Sequence, residues 1–198
     1  IEGQAAGLIG PRERRDLGVG FVPEERLGHG AVPDMPLWEN AFLSGMRRMK
    51  LMANGFINVA GTVRYADEII EKFKVKTPGC EHNASSLSGG NLQKFIIGRE
   101  ILQNPTVMIA LQPTWGVDAG AAAAIHQALI DLANDGAAVL VISQDLDELF
   151  AISSRIAVIA EGRLSAAKPV KDLTIEQIGL MMGGTHDLPG EGGQKRVA

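Results

Sequence analysis

Hydrophobic positions along this chain fall into two periods, and the change from one to the other predicts its elements. Val19-Gly20-Phe21-Val22-Pro23 reads as a strand, and Val107-Met108-Ile109-Ala110-Leu111 and Val139-Leu140-Val141-Ile142 are continuous apolar runs with the length of buried strands. Runs of that kind suit a parallel sheet covered on both faces. Between the first two strands, residues 36–103 turn helical. Leu37-Trp38-Glu39-Asn40-Ala41-Phe42-Leu43 opens that region, and Val63, Ala66, Ile69, Ile70 and Phe73 lay an apolar stripe along a helix that Lys74-Val75-Lys76-Thr77-Pro78-Gly79 ends. Residues 92–102 and the alanine-rich 119–133 predict two more helices, and Pro11 suits the first turn of an early one. Towards the end, 156–159 reads as a final strand, Glu161-Gly162-Arg163 as its turn and 173–182 as a last helix. Residues 183–198 carry glycine, a proline and scattered charge without periodicity, the pattern of a disordered tail. The fold class is α/β.

The chemistry concentrates in Leu87-Ser88-Gly89-Gly90-Asn91, followed by Gln93 and Lys94. Two adjacent glycines at a helix start leave backbone N–H groups uncovered at the positive end of the peptide dipoles, which is how a phosphate is held. The same residues also read as a serine cap with a glycine turn, and both readings stand at this point. Composition narrows the choice of partner. With 198 residues and 45% hydrophobic content the chain can bury a core, and a net charge of −4 without a long basic run argues against a nucleic-acid backbone. A single cysteine, Cys80, excludes an internal disulfide and a thiolate metal cluster and suits a reducing compartment. No apolar run approaches the roughly 20 residues of a membrane span, and His29 has no second ligand at metal-site spacing.

The order of glycine signature, apolar strand, Gln112-Pro113-Thr114 turn, Gly116-Val117-Asp118 loop, helix and second strand resembles the ATP-binding cassette ATPases, from the first residues to about Gly184. Leu-Ser-Gly-Gly-Asn with Gln-Pro-Thr, and Ser143-Gln144-Asp145-Leu146-Asp147-Glu148-Leu149, are most similar to the second cassette of the tandem ATP-binding subunits of sugar and nucleoside importers. The resemblance implies a partial P-loop-type ATPase core over 1–34, a helical subdomain with the signature over 35–104, the α/β core over 105–184 and a tail over 185–198. It implies ATP and magnesium as ligands of the intact protein, transmembrane permease subunits, a second cassette and, indirectly, a solute-binding protein as partners, and a place on the cytoplasmic face of the membrane.

Against the family pattern, several positions change. No Gly-x-x-x-x-Gly-Lys-Ser/Thr stretch occurs in the 198 residues, so the chain reads as a truncated cassette. Glu24 stands where most cassettes carry a glutamine, although it also reads as a residue that merely solvates its loop. Leu111-Gln112 replaces the family's Asp-Glu pair, and Gln144 replaces its switch histidine. Leucine offers a metal nothing, and a glutamine amide takes up no proton. The resemblance therefore implies a degenerate ATP site at Glu24, Gln112 and Gln144, and an intact signature at Ser88, Gly89, Gly90 and Asn91 that completes the other cassette's site. The alternatives are a non-catalytic ATP-sensing or dimerisation module and a soluble non-transport cassette ATPase, the latter disfavoured by the lack of long coiled-coil insertions and basic surfaces. Asp118 is expected in the loop that crosses between cassettes, and it also reads as an N-cap of the following helix. The methionine-rich 46–58 segment reads either as the permease-facing surface or as ordinary helix packing. Nothing physical accounts for Trp115, where arginine is usual.

Overall fold

The computed structural model describes residues 1, 3 and 5–184, so the tail expected at 185–198 lies outside the described residues. The chain divides into two compact units, Ile1–Gln144 and Asp145–Ala198.

In the first unit, three parallel strands lie in the order β1 (Val19–Val22), β4 (Val107–Leu111), β5 (Ala138–Ile142). A short helix, α1 (Pro11–Asp16), leads into β1 with Pro11 in its first turn. Between β1 and β4 run α2 (Leu37–Gly45), α3 (Val59–Lys72) and α4 (Gly89–Ile101), and α5 (Ala119–Asn134) connects β4 to β5. Helix α4 is the centre of this unit. It packs against α2, α3, α5 and β1, which is why Leu92, Phe95, Ile96 and Ile97 are all buried on a helix that shows no single apolar stripe. Gly98 lets the Phe73 ring reach the α4 backbone, because a Cβ there would stand 2.5 Å from it.

Three expectations need correction here. The buried face of α3 is Thr62, Tyr65, Ala66 and Ile69, about one position round from the stripe through Val63 and Ile70. Tyr65 sets that rotation, since its hydroxyl donates to the Arg99 carbonyl of α4. Inside the region read as wholly helical, β2 (Met52–Ala53) and β3 (Phe56–Ile57) form an antiparallel hairpin. Its turn is Asn54-Gly55, both at positive φ (51° and 84°), the arrangement whose twist matches the flanking strands. The sheet is also not covered on both faces. Val22, Met108 and Ala110 are fully buried on one side, against which α4 and α5 contribute, but the neighbours Phe21, Ile109 and Leu140 line up across the other, with Phe21 40% and Leu140 53% exposed.

The second unit holds α6 (Leu146–Ile152), four short strands and α7 (Ile175–Met182) around Ile156, Val158, Leu173, Ile178 and Met181. The single strand expected at 156–159 is instead two pieces. β6 (Arg155–Ile156) pairs with β9 (Lys168–Pro169), and β7 (Ile159–Ala160) pairs with β8 (Arg163–Leu164) through a Glu161-Gly162 turn at positive φ. Ser165 makes the break by bonding Val158 twice, its hydroxyl accepting from the Val158 N–H and its own N–H donating to the Val158 carbonyl. The last helix starts at Ile175 rather than 173 because Thr174 and Gln177 form a reciprocal capping box.

Candidate functional site

Two groups of the sequence-predicted residues are brought together, each at the end of an element that the core fixes. The first is the start of α4. Ser88 holds the N-cap position with extended backbone (φ −62°, ψ 153°), and Gly89 and Gly90 are the first residues inside the helix. Neither glycine has positive φ, and both belong to the first turn of the helix. Ser88 is the N-cap residue by its backbone, but its side chain makes no capping hydrogen bond. The Ser88 hydroxyl instead accepts from the Asn91 amide at 2.9 Å, while Asn91 Oδ1 accepts from the Lys76 N–H at 2.9 Å. The sequence places a good capping residue at the right position, and Asn91 draws it aside. What remains is a first helical turn whose N–H donors face outward beside a hydroxyl.

Asp118 lies next to this turn. It caps α5, accepting from the Ala121 N–H at 3.0 Å, and its Oδ2 would stand 3.8 Å from a Cβ on Gly90. The carboxyl pKa is held below its ordinary value, first by that backbone hydrogen bond, so Asp118 is ionised at neutral pH. Both readings of Asp118 are therefore compatible with its position.

The second group sits at the carboxyl ends of β4 and β5, where open parallel sheets place their ligands. Gln112 has positive φ (46°), and its N–H donates to the Ile142 carbonyl at 2.8 Å. Its side-chain carbonyl accepts from the Ser143 hydroxyl at 3.3 Å and, at 3.5 Å, from the Gln144 N–H. Gln112 and Gln144 are thus neighbours tied into one strand-end network. Glu24 follows β1 at the same edge of the sheet and is exposed. These groups do not fit a magnesium ion. Leu111 has no side-chain oxygen, the Gln112 side-chain oxygen accepts from Ser143, and no cluster of three His, Cys, Asp or Glu side chains suited to a metal occurs among the described residues.

Sequence reasoning places Gln93 beside the signature but passes over Arg26, and the two together join the groups. Arg26, in the loop after β1, donates from Nε to Gln93 Oε1 at 3.0 Å, and Gln93 donates from Nε2 to the Pro113 carbonyl at 2.9 Å. The signal was available at Gln93, an amide inside the apolar run of α4 that is 1% exposed. Cys80 is also buried, and burial pushes its thiol up to about 11, so it is no nucleophile at neutral pH. No described helix is long and apolar enough to cross a membrane.

No protein-family model matches the chain. Its relatives include the guanosine import ATP-binding protein NupO of Bacillus subtilis, 39% identical over 93% of this chain, and the ribose import ATP-binding protein RbsA 1 of Rubrobacter xylanophilus, 36% identical over 96%. The nucleoside import ATP-binding protein NupA of Lactococcus lactis is 41% identical over 88% of the chain. The chain spans 36%, 38% and 34% of the lengths of these three relatives. Among solved structures, a dimeric ATP-binding cassette in a post-hydrolysis state, bound to ADP and Pi, superposes with a TM-score of 0.70 at 22% identity, covering 86% of this chain and 72% of that one.

Proposed function

We propose that this chain, which has the cassette fold and whose relatives are ATP-binding proteins of sugar and nucleoside import, supplies the signature face of a two-cassette ATPase that drives import of a small sugar-like or nucleoside-like solute. The observation that carries this reading is the uncapped first turn of α4, with Ser88 drawn aside by Asn91. A terminal phosphate presented by a second cassette would meet the Ser88 hydroxyl and the N–H groups of Gly89 and Gly90 together. Hydrogen bonds from a helix start to an anion gain both from the ionic acceptor and from the dipole.

The chain's own strand ends point the other way. Gln112 has no carboxylate to activate water as a base or to order a metal by charge, and its carbonyl already accepts from Ser143 and Gln144. We therefore assign hydrolysis to the site that residues 88–91 complete, with magnesium and the phosphate loop contributed by the other cassette. The site at Glu24, Gln112 and Gln144 is degenerate in this reading. The partners are that second cassette and permease subunits in the membrane, with a solute-binding protein acting through them. The working place is the cytoplasmic face.

Calorimetry tests the division of labour. The 198-residue chain titrated with magnesium-ATP is expected to show no saturable binding at micromolar nucleotide, and binding is expected to strengthen when a cassette carrying the phosphate loop is paired with it. Saturable micromolar binding by the chain alone would overturn the assignment. A second expectation concerns the strand end. Gln112→Glu in the assembled ATPase should leave the number of ATP molecules split per assembly in a single turnover unchanged, since the Leu111 side chain still offers a metal no carboxylate. A doubled burst would show the second site to be competent.

A further inference from the structure

Arg26 is placed as if to hold something still. Its loop is pinned from both sides: the Ala31 N–H closes back on the Arg26 carbonyl at 2.6 Å, and Arg99 Nη2 donates to the Gly30 carbonyl at 2.9 Å. The Arg26 side chain then crosses to α4, where Nε is bound by Gln93. Its two terminal nitrogens lie between two glycines. A Cβ on Gly89 would stand 2.7 Å from Nη1, and one on Gly116 would stand 3.5 Å from Nη2. Gly116 adopts positive φ (61°), so the 114–118 segment bends around the guanidinium. A side chain at Gly89 would therefore displace the Arg26 guanidinium, whereas one at Gly90 would meet Val117 and Asp118 Oδ2 only at the ordinary contact distance of 3.8 Å.

We propose that Arg26 is a positioning residue of the signature site, its planar guanidinium setting the separation between the Gly89 turn and the loop that carries Gly116 and Asp118. This rests on the reading of residues 88–91 as the phosphate contact. The geometry demands arginine rather than a positive charge alone. A lysine ammonium is a single point and cannot satisfy Gln93 with one nitrogen while filling the gap between two backbones with two others. Gln93 extends the link, because its other end holds the Pro113 carbonyl just past the β4 strand end. Arg26 acts on geometry at the turn and not on nucleotide held by the other cassette's phosphate loop, so its removal is expected to slow turnover without weakening ATP binding.

The test is steady-state ATP hydrolysis by the protein assembled with the cassette that carries the phosphate loop. Arg26→Ala and Arg26→Lys are both expected to lower kcat about ten- to a hundredfold, the cost of small misplacements at a reacting centre, with KM for ATP within about twofold. Arg26→Lys keeps the charge, so its failure to rescue is the readout that a general electrostatic role would not give. Gln93→Met added to Arg26→Ala should reduce kcat no further than the worse single change, as expected for two members of one link. A lysine variant with wild-type kcat, or an alanine variant within about twofold of it, would overturn the proposal. Gly90→Asp run in the same assay separates the two claims. If Gly90→Asp is active, the phosphate reading has failed; if it is inactive while both Arg26 variants are normal, only the positioning role has.

Discussion

Gly90→Asp is expected to abolish signature-dependent ATP hydrolysis while the chain stays folded. A Cβ at this position meets only Asp118 Oδ2 and Val117, both at 3.8 Å, which is ordinary contact. The residue lies in the first turn of α4 with negative φ, where an acidic side chain is tolerated and even favoured by the dipole. Within the fold the ionised Asp118 carboxylate, 3.8 Å from the new Cβ, opposes the added charge, at an exposed site where water screens it. On the proposed function, the larger opposition comes from the phosphate, whose place the new carboxylate would take. Two unit charges about 4 Å apart repel by about 4 kcal/mol at an effective dielectric near 20, and each 1.36 kcal/mol is about a factor of ten in rate. A fall of roughly three orders of magnitude follows, with the thermal midpoint within a few degrees of wild type. Gly90→Ala, which adds bulk without charge, should lose far less. Hydrolysis that persists within a factor of a few in a folded Gly90→Asp protein would remove the phosphate from residues 88–91.

The largest loss of stability is expected at Glu100, far from any nucleotide. Its carboxylate is completely buried and accepts from Arg15 Nη1 at 2.9 Å and from Arg99 Nε at 3.1 Å, and Arg99 is itself 5% exposed. Arg99 also donates to the Asn40 and Gly30 carbonyls, so one ionic cluster ties α4 to α1, α2 and the loop that holds Arg26. Removing one member of a buried pair leaves the other charge uncompensated in a poor dielectric, at a cost of about 3–5 kcal/mol. For a protein whose whole stability is about 5–15 kcal/mol, that is a large share. Glu100→Ala should lower the thermal midpoint by about 10 °C, using the slope usual for chains of this size. Removing the Glu68 partner of the exposed Lys72 should cost less than about 1 kcal/mol. Urea unfolding of the two variants side by side would measure the contrast, and equal midpoints would show the Glu100 cluster to carry no net stability.

Much of the molecule is written in short-range sequence. The strands at 19–22, 107–111 and 138–142 are legible because their apolar runs are continuous and their ends are punctuated. The start of α4 is legible because serine followed by paired glycines has few structural meanings, and Asp118 as a cap needs only its own neighbours. Even the Asn54-Gly55 hairpin had its local signal, which the surrounding helical period concealed.

Tertiary structure decided what depends on contacts across the chain. No local rule says that Asn91, itself held by Lys76, would draw the Ser88 hydroxyl away from the helix it should cap. The rotation of α3 follows from Tyr65 finding the Arg99 carbonyl, 34 residues away. The paired glycines look alike in sequence, but the fold sets the Arg26 guanidinium against Gly89 and Val117 and Asp118 beside Gly90. Hydrophobic pattern fixes which elements form and which way their apolar sides face, because burial is additive and non-directional. Hydrogen bonds and ion pairs are directional and long in sequence separation, so the positions of Arg26, Gln93 and Glu100 are set only once the helices have packed.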